Sequence, residues 1–222
     1  MFRDMRAGLS IPPQVDILDH VASLPPDAQS VAHGTLRRIE THYMRLQTPQ
    51  PGLVELMHYL EERRVRKGIC TRNFDGPVQH LLDKFLQGNG VPGPGPTLDG
   101  GVDGVRGWQG ARFWPIVTRD FSPPKPHPAG ILHIAKAWGL TGPNGEADGS
   151  GLMMVGDSMD DMLAGRGAGA ATVLLLHGDN AHVAASGAVD LVVRRLDELV
   201  GVLETGFEGV AAGDDGAAAV VE

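Results

Sequence analysis

Apolar positions along the chain change their period near residue 52. Before it, Val15, Leu18 and Val21 recur at helical spacing after Pro12-Pro13. A second stripe follows Pro25-Pro26, where Ala32, Leu36, Ile39, Tyr43 and Leu46 advance by alternating steps of four and three. The opposite face of that stripe is assigned Arg37, Arg38, Glu40 and Arg45, which makes the segment amphipathic. Paired prolines suit helix starts, because the first turn has no partner for the N–H that proline lacks. Residues 12–47 therefore read as helical, and Pro49-Gln50-Pro51-Gly52 reads as a linker. The expectation is a small helical unit over residues 1–50 that contains no strand.

From residue 52 onward, helical periods alternate with short apolar runs. Leu53, Leu56, Met57 and Leu60 mark a helix, and Lys67-Gly68-Ile69-Cys70-Thr71 follows as a strand. Val78, Leu81, Leu82 and Phe85 mark the next helix, Pro115 to Thr118 a strand, and Ile131, Ile134, Ala135 and Trp138 a further helix. Leu152 to Val155 and Ala171 to Leu176 are uninterrupted apolar runs, as expected of strands buried on both faces. A helix over Met159 to Ala168 separates them, and Leu191 to Val193 is a last short strand. This alternation predicts an α/β fold with a parallel sheet over residues 51–204. Two segments fall outside it. Residues 88–112, about half Gly and Pro, read as an insertion loop, and residues 205–222 read as a disordered tail.

Composition narrows the function classes. The 222 residues carry 19 basic and 27 acidic side chains, a net charge of −8, which argues against a nucleic-acid binder with a basic face. A locally positive site for a small anion is still compatible with that balance. No apolar run approaches the roughly 18 residues needed to span a bilayer. The single Cys precludes an internal disulfide and suits a reducing compartment, so the expected location is cytoplasmic and no membrane partner is expected.

Three polar strings at strand ends carry the candidate chemistry. Val155-Gly156-Asp157-Ser158-Met159-Asp160-Asp161 places carboxylates at the end of a buried strand, where open α/β sheets bind ligands. Oxygen ligands grouped in this way suit Mg²⁺, although acidic residues at a helix start also serve the helix dipole. Gly68-Ile69-Cys70-Thr71-Arg72-Asn73 offers a hydroxyl and backbone N–H groups to an anion, or a simple helix cap. Cys70 itself reads as a small core residue. Pro123-Pro124-Lys125-Pro126-His127-Pro128 holds one ammonium in a proline-fixed turn, either for a phosphoryl group or for solvent; His127 reads as a loop residue.

Taken in order, the three strings resemble those of the haloacid dehalogenase-like hydrolase superfamily, particularly its phosphoglycolate-phosphatase-like branch. The resemblance covers about residues 1–200, apart from 88–112. It implies a Rossmann-like parallel sheet flanked by helices, with the N-terminal helices as a small cap. It also implies a Mg²⁺-dependent phosphatase of a small phosphorylated metabolite that works through an aspartyl-phosphate. In that scheme Thr71 and Lys125 are catalytic, Arg72 and Asn73 face the substrate, and Asp157 and Asp161 hold the metal. The resemblance says nothing of the oligomeric state.

The same resemblance exposes a gap. In that resemblance the chemistry starts from an apolar strand ending in Asp-x-Asp, lying in the middle of the sheet between the strand that ends at Thr71 and the strand that ends at Asp157. No Asp-x-Asp occurs in the 222 residues, and Asp4, Asp16 and Asp19 sit in helical context. No nucleophile is therefore assigned, and the central first strand is expected to be missing. The accompanying expectation is a reading frame that starts at an internal Met, with a non-catalytic pseudoenzyme or a phosphate-binding regulatory protein as the alternative. Either way, the chain as written is expected to be inactive and to hold Mg²⁺ weakly.

Overall fold

The computed structural model describes residues 1–46, 48–86, 105–106, 113–206 and 219–220. The chain forms two compact units, Met1–Thr48 with Asp75–Lys84, and Pro49–Phe74 with Phe85–Glu222. No described helix is long and apolar enough to cross a membrane.

The first unit is helical, as the apolar stripes predict, but with two additions. Helix α1 (Phe2–Leu9) precedes the expected segment, followed by α2 (Ile17–Ser23) and α3 (Pro26–Arg45). The Pro12-Pro13 pair does not open α2. Asp16 does, its carboxylate accepting the N–H groups of Leu18 at 2.8 Å and Asp19 at 3.1 Å. Met5, Ile17, Val21, Ala32 and Leu36 form the core. Glu40, assigned to the solvent face, is buried. It lies one turn beyond Leu36 and so shares the inward stripe.

The second addition is α5 (Asp75–Leu81), which the alternation of helix and strand places in the α/β part. It packs on α3 instead, with Val78 buried, and runs into a π-helical turn, Leu82–Leu86. The helical unit is thus assembled from two stretches of chain, not from residues 1–50 alone.

The second unit starts with α4 (Leu53–Glu62) and β1 (Lys67–Cys70). It continues with β2 (Val105–Arg106), β3 (Phe113–Val117), α6 (Ala129–Ala137) and β4 (Met153–Gly156). Then come α7 (Met159–Gly167), β5 (Ala171–Leu175), α8 (Ala181–Ala184), β6 (Leu191–Val193) and α9 (Glu198–Thr205). The predicted strands all form, and β1∥β3 and β4∥β5∥β6 are parallel pairs. A short β7 (Ala219–Val220) extends the sheet beside β6, within the stretch read as a disordered tail; the rest of that tail, 207–218 and 221–222, lies outside the described residues. Most of the 88–112 segment also lies outside them, and its described part, β2, pairs antiparallel with β3.

The strands make two sheets, ordered β1-β3-β2 and β4-β5-β6-β7. Side chains of β5 and β6 alternate between two apolar layers. Val173, Leu175, Leu191 and Val193 pack with Leu56 of α4 and with Leu199 and Val202 of α9. Leu174 and Val192 pack on the other side with Met162 of α7 and Val183 of α8. Burial on both faces is what the unbroken apolar runs predict.

A buried polar knot joins β5 to the start of β6. Thr172 donates its N–H at 2.7 Å and its hydroxyl at 2.8 Å to one carboxylate oxygen of Asp190, and Arg166 pairs with the other oxygen at 2.9 Å. Thr172→Val removes the hydroxyl and keeps the shape, leaving Asp190 short of a partner. The expected cost is about 1–3 kcal/mol, read as a lower urea midpoint with an unchanged slope.

In the helical unit, the Tyr43 hydroxyl donates to Asp4 at 2.5 Å, and this bond holds the Asp4 carboxyl below its ordinary value. The stability it contributes is therefore present above the ordinary carboxylate range and is lost as pH falls through the lowered value. In Tyr43→Phe the Asp4 titration, followed by carboxyl NMR shifts, is expected to move up toward the ordinary range.

Candidate functional site

The C-terminal ends of β1 and β4 meet at one side chain. Lys125 Nζ donates to the Cys70 carbonyl, the last residue of β1, at 2.8 Å, and also to Asp161 Oδ1. Both charged side chains are nearly buried, 10% and 8% exposed. The other oxygen of Asp161 accepts the N–H groups of Asp157 and Ser158, each at 3.1 Å, and the Ser158 hydroxyl at 2.7 Å. With Ser158 Oγ accepting Asp161 N–H, this is a capping box that opens α7. Gly156 makes it possible: a Cβ there would lie 2.4 Å from the Cβ of Asp161. Asp161 thus folds back over the end of β4.

Thr71 continues β1, its N–H donating to the Val117 carbonyl at 2.8 Å. Its hydroxyl oxygen accepts the Asn73 N–H at 3.1 Å, so the turn after β1 is closed on the threonine. Arg72 reaches across to Asp160, the residue beside Asp161, at 2.5 Å. The three polar strings of the sequence therefore converge, and each is tied to another by charge. Burial pushes the Cys70 thiol above its ordinary pKa, and a Cβ on Gly130 would lie 2.8 Å from its sulfur. A packed, protonated thiol is a core group, as its position within the strand suggests.

The remaining carboxylate, Asp157, stands at the tip of β4 with its side chain 57% exposed, and His177 Nε2 lies 3.7 Å away. Asn180 fixes this edge: its amide donates to the carbonyls of Asp157 at 2.8 Å and Leu175 at 2.9 Å, and its oxygen accepts the His177 N–H at 2.8 Å. It is buried and ties the ends of β4 and β5 together.

A match to the model of the haloacid dehalogenase-like hydrolases spans residues 14–169. The chain belongs to that family. This haloacid dehalogenase-like hydrolase is 34% identical over 208 residues to an uncharacterized hydrolase of Saccharomyces cerevisiae, covering 92% of this chain and 83% of the yeast protein. Among solved structures it resembles a hydrolase from Pseudomonas syringae, with a TM-score of 0.58, 24% identity and coverage of 92% and 89%. It also resembles a predicted phosphoglycolate phosphatase from Haemophilus somnus, with a TM-score of 0.57, 17% identity and coverage of 81% and 68%. These two likenesses bear on the fold: a Rossmann-like α/β sheet.

Sequence reasoning missed Asn180, His177 and Ser158 as parts of this hydrolase's strand-end cluster. The signal was available for the first two, since Leu176-His177-Gly178-Asp179-Asn180 is a polar string directly after a buried strand. Ser158 lay inside a string already singled out, but its cap role needed the helix start to be seen.

Because Lys125 and Asp161 are both nearly buried, removing one leaves the other without its charge partner. Lys125→Met is expected to destabilise the hydrolase by about 3–5 kcal/mol. Pairing it with Asp161→Asn should cost clearly less than the two single changes summed, in a double-mutant cycle followed by thermal unfolding.

Proposed function

We propose that this hydrolase carries the anion-binding and charge-balancing part of a phosphatase site for a small phosphorylated metabolite. The observation that carries this reading is Lys125, which spans the ends of β1 and β4. An ammonium has three donors, and two are taken by Cys70 and Asp161, which leaves one for a phosphoryl oxygen. The Thr71 hydroxyl accepts from Asn73 and keeps its own proton to donate to a second oxygen. Arg72 and Asn73 sit in the same turn and would face the rest of the substrate. Membership of a hydrolase family and the fold shared with a predicted phosphoglycolate phosphatase support the substrate class.

Mg²⁺ is the cofactor the family implies, and the donor set tests it. Mg²⁺ prefers an octahedral shell with well-placed oxygens and gives up water reluctantly. Asp161 has both oxygens committed, one to Lys125 and one to the cap of α7, and Asp160 is committed to Arg72. Asp157 alone presents a carboxylate outward, and no three metal-binding side chains cluster among the described residues. The residues present do not by themselves fit the ion. What this chain contributes is phosphate binding by Lys125 and Thr71, with charge balance from Asp161.

Hydrolysis needs in addition a carboxylate to attack phosphorus and an acid to protonate the leaving group. No Asp-x-Asp pair is among the 222 residues, and no other side chain of the cluster is placed as a nucleophile. The 222-residue chain is accordingly expected to bind inorganic phosphate without turning over p-nitrophenyl phosphate, with or without added Mg²⁺. Calorimetric titration should show phosphate binding that falls by about tenfold in Thr71→Ala, the cost of one charge-assisted hydrogen bond. Turnover that survives removal of contaminating phosphatase would overturn the division of labour, and absence of phosphate binding would overturn the anion site.

A further inference from the structure

Two ion pairs close on the first turn of α7, and they differ in how far solvent reaches them. Lys125 and Asp161 are 10% and 8% exposed, whereas Arg72 and Asp160 are 30% and 33% exposed. The pairs run side by side. Asp160 and Asp161 are consecutive residues, and Arg72 follows Cys70 and Thr71, the first of which gives its carbonyl to Lys125. The fold thus sets two cationic heads next to each other, each resting on one of two neighbouring carboxylates. A second guanidinium borders the same turn. Arg119 N–H donates to the Asn73 carbonyl at 3.0 Å, and its side chain lies over Phe74, 5.1 Å from the ring centre. Stacking uses the flat face of a guanidinium and points its N–H donors sideways, in the plane.

The inner pair is fixed from several sides. Asp161 has its second oxygen in the capping box, and Lys125 donates to Cys70 as well. The outer pair is held differently. Its contact is end-on, one guanidinium nitrogen to one carboxylate oxygen at 2.5 Å. A guanidinium matches an oxyanion best through two parallel N–H···O bonds, so a better-placed anion can take over from this one. Asp160 can also stand without Arg72. It lies in the first turn of α7, where the unpaired N–H groups of a helix start favour a carboxylate, and a third of its side chain meets solvent. Losing Lys125 would strand Asp161 in a nearly buried position. Losing Arg72 leaves Asp160 hydrated and at the favourable end of a helix.

We infer, resting on the phosphoryl site proposed above at Lys125 and Thr71, that Arg72 is an exchangeable receptor for a second anionic group of the same substrate. Asp160 holds Arg72 until that group arrives, and then turns to solvent and to the helix start. The substrate class is a small phosphate ester with a carboxylate or a second phosphoryl group a few bonds from the first. Both groups offer Arg72 the same pair of oxygens, which is the chemistry the site reads. The close spacing follows from the chain, since the two receptors are built on adjacent residues of the β1 turn and of α7. An ester without a second anion leaves Asp160 in place and gains nothing from Arg72. The pair of Arg72 and Asp160 is therefore a specificity device, and the pair of Lys125 and Asp161 a fixed one.

The test is calorimetric binding of three non-hydrolysable phosphonates to the 222-residue chain at one ionic strength. Propylphosphonate carries a single anionic group. The compound 3-phosphonopropionate adds a carboxylate, and ethane-1,2-bisphosphonate adds a second phosphonate. One or both of the two-anion ligands are expected to bind about tenfold or more tighter than propylphosphonate, and the ligand that does so identifies the group. In Arg72→Met that advantage should disappear. In Asp160→Asn, which keeps the shape and removes the competing charge, it should grow several-fold. Thr71→Ala should weaken all three ligands alike and leave the advantage unchanged, because Thr71 meets only the phosphoryl group they share. Equal binding of all three, or an advantage that survives Arg72→Met, overturns the second receptor and leaves the anion site standing. Absence of binding by all three overturns the anion site, and the second receptor falls with it.

Discussion

The charge pair of Lys125 and Asp161 is the constraint around which the α/β unit is organised. It is the point where two sheets, with no ladder between them among the described residues, are held at a common level. Lys125 comes from the loop before α6, Cys70 from one sheet, and Asp161 from the helix that leaves the other. An ammonium and a carboxylate so nearly out of solvent persist because further hydrogen bonds support them: the Cys70 carbonyl takes a second proton of Lys125, and two backbone N–H groups and a serine hydroxyl donate to the second oxygen of Asp161. The arrangement that would receive a phosphoryl group is therefore also a structural clasp.

This double use explains why the site looks closed on itself. Arg72 with Asp160, and Lys125 with Asp161, neutralise each other pairwise, and a ligand anion must compete with carboxylates already in place. Only Asp157 is left facing outward, held by an asparagine that also secures the neighbouring strand.

Most of the fold was legible because burial leaves a periodic trace. The unbroken runs at 152–155, 171–176 and 191–193 became strands within a residue of their limits, and the stripe through Leu36 and Ile39 became a single long helix. What failed was local or non-local in a specific way. Charge alone puts Glu40 on the solvent face, whereas its spacing from Leu36 turns it inward, where it is buried. Helix α5 belongs by sequence order with its α/β neighbours, yet its apolar face is completed by α3, a partner no local window contains. The strand-end residues Thr71, Lys125 and Asp161 were legible as separate strings, and the capping box, the Asn180 bridge and the direct contact of Lys125 with Cys70 were not, because each depends on backbone atoms that carry no residue identity.

The helical unit is built from Met1–Thr48 and Asp75–Lys84, with α4 and β1 of the other unit lying between them in the chain. A ribosome delivers these pieces in order. Helices α1 to α3 emerge first but cannot bury the face that α5 covers, and β1 emerges next with its ladder partner β3 still some forty residues away. Neither unit can complete before part of the other has been made, so the nascent chain carries two unfinished apolar surfaces at once. Such a protein folds by closing two loops in an interleaved order, and its exposure to chaperones is set by connectivity as much as by composition.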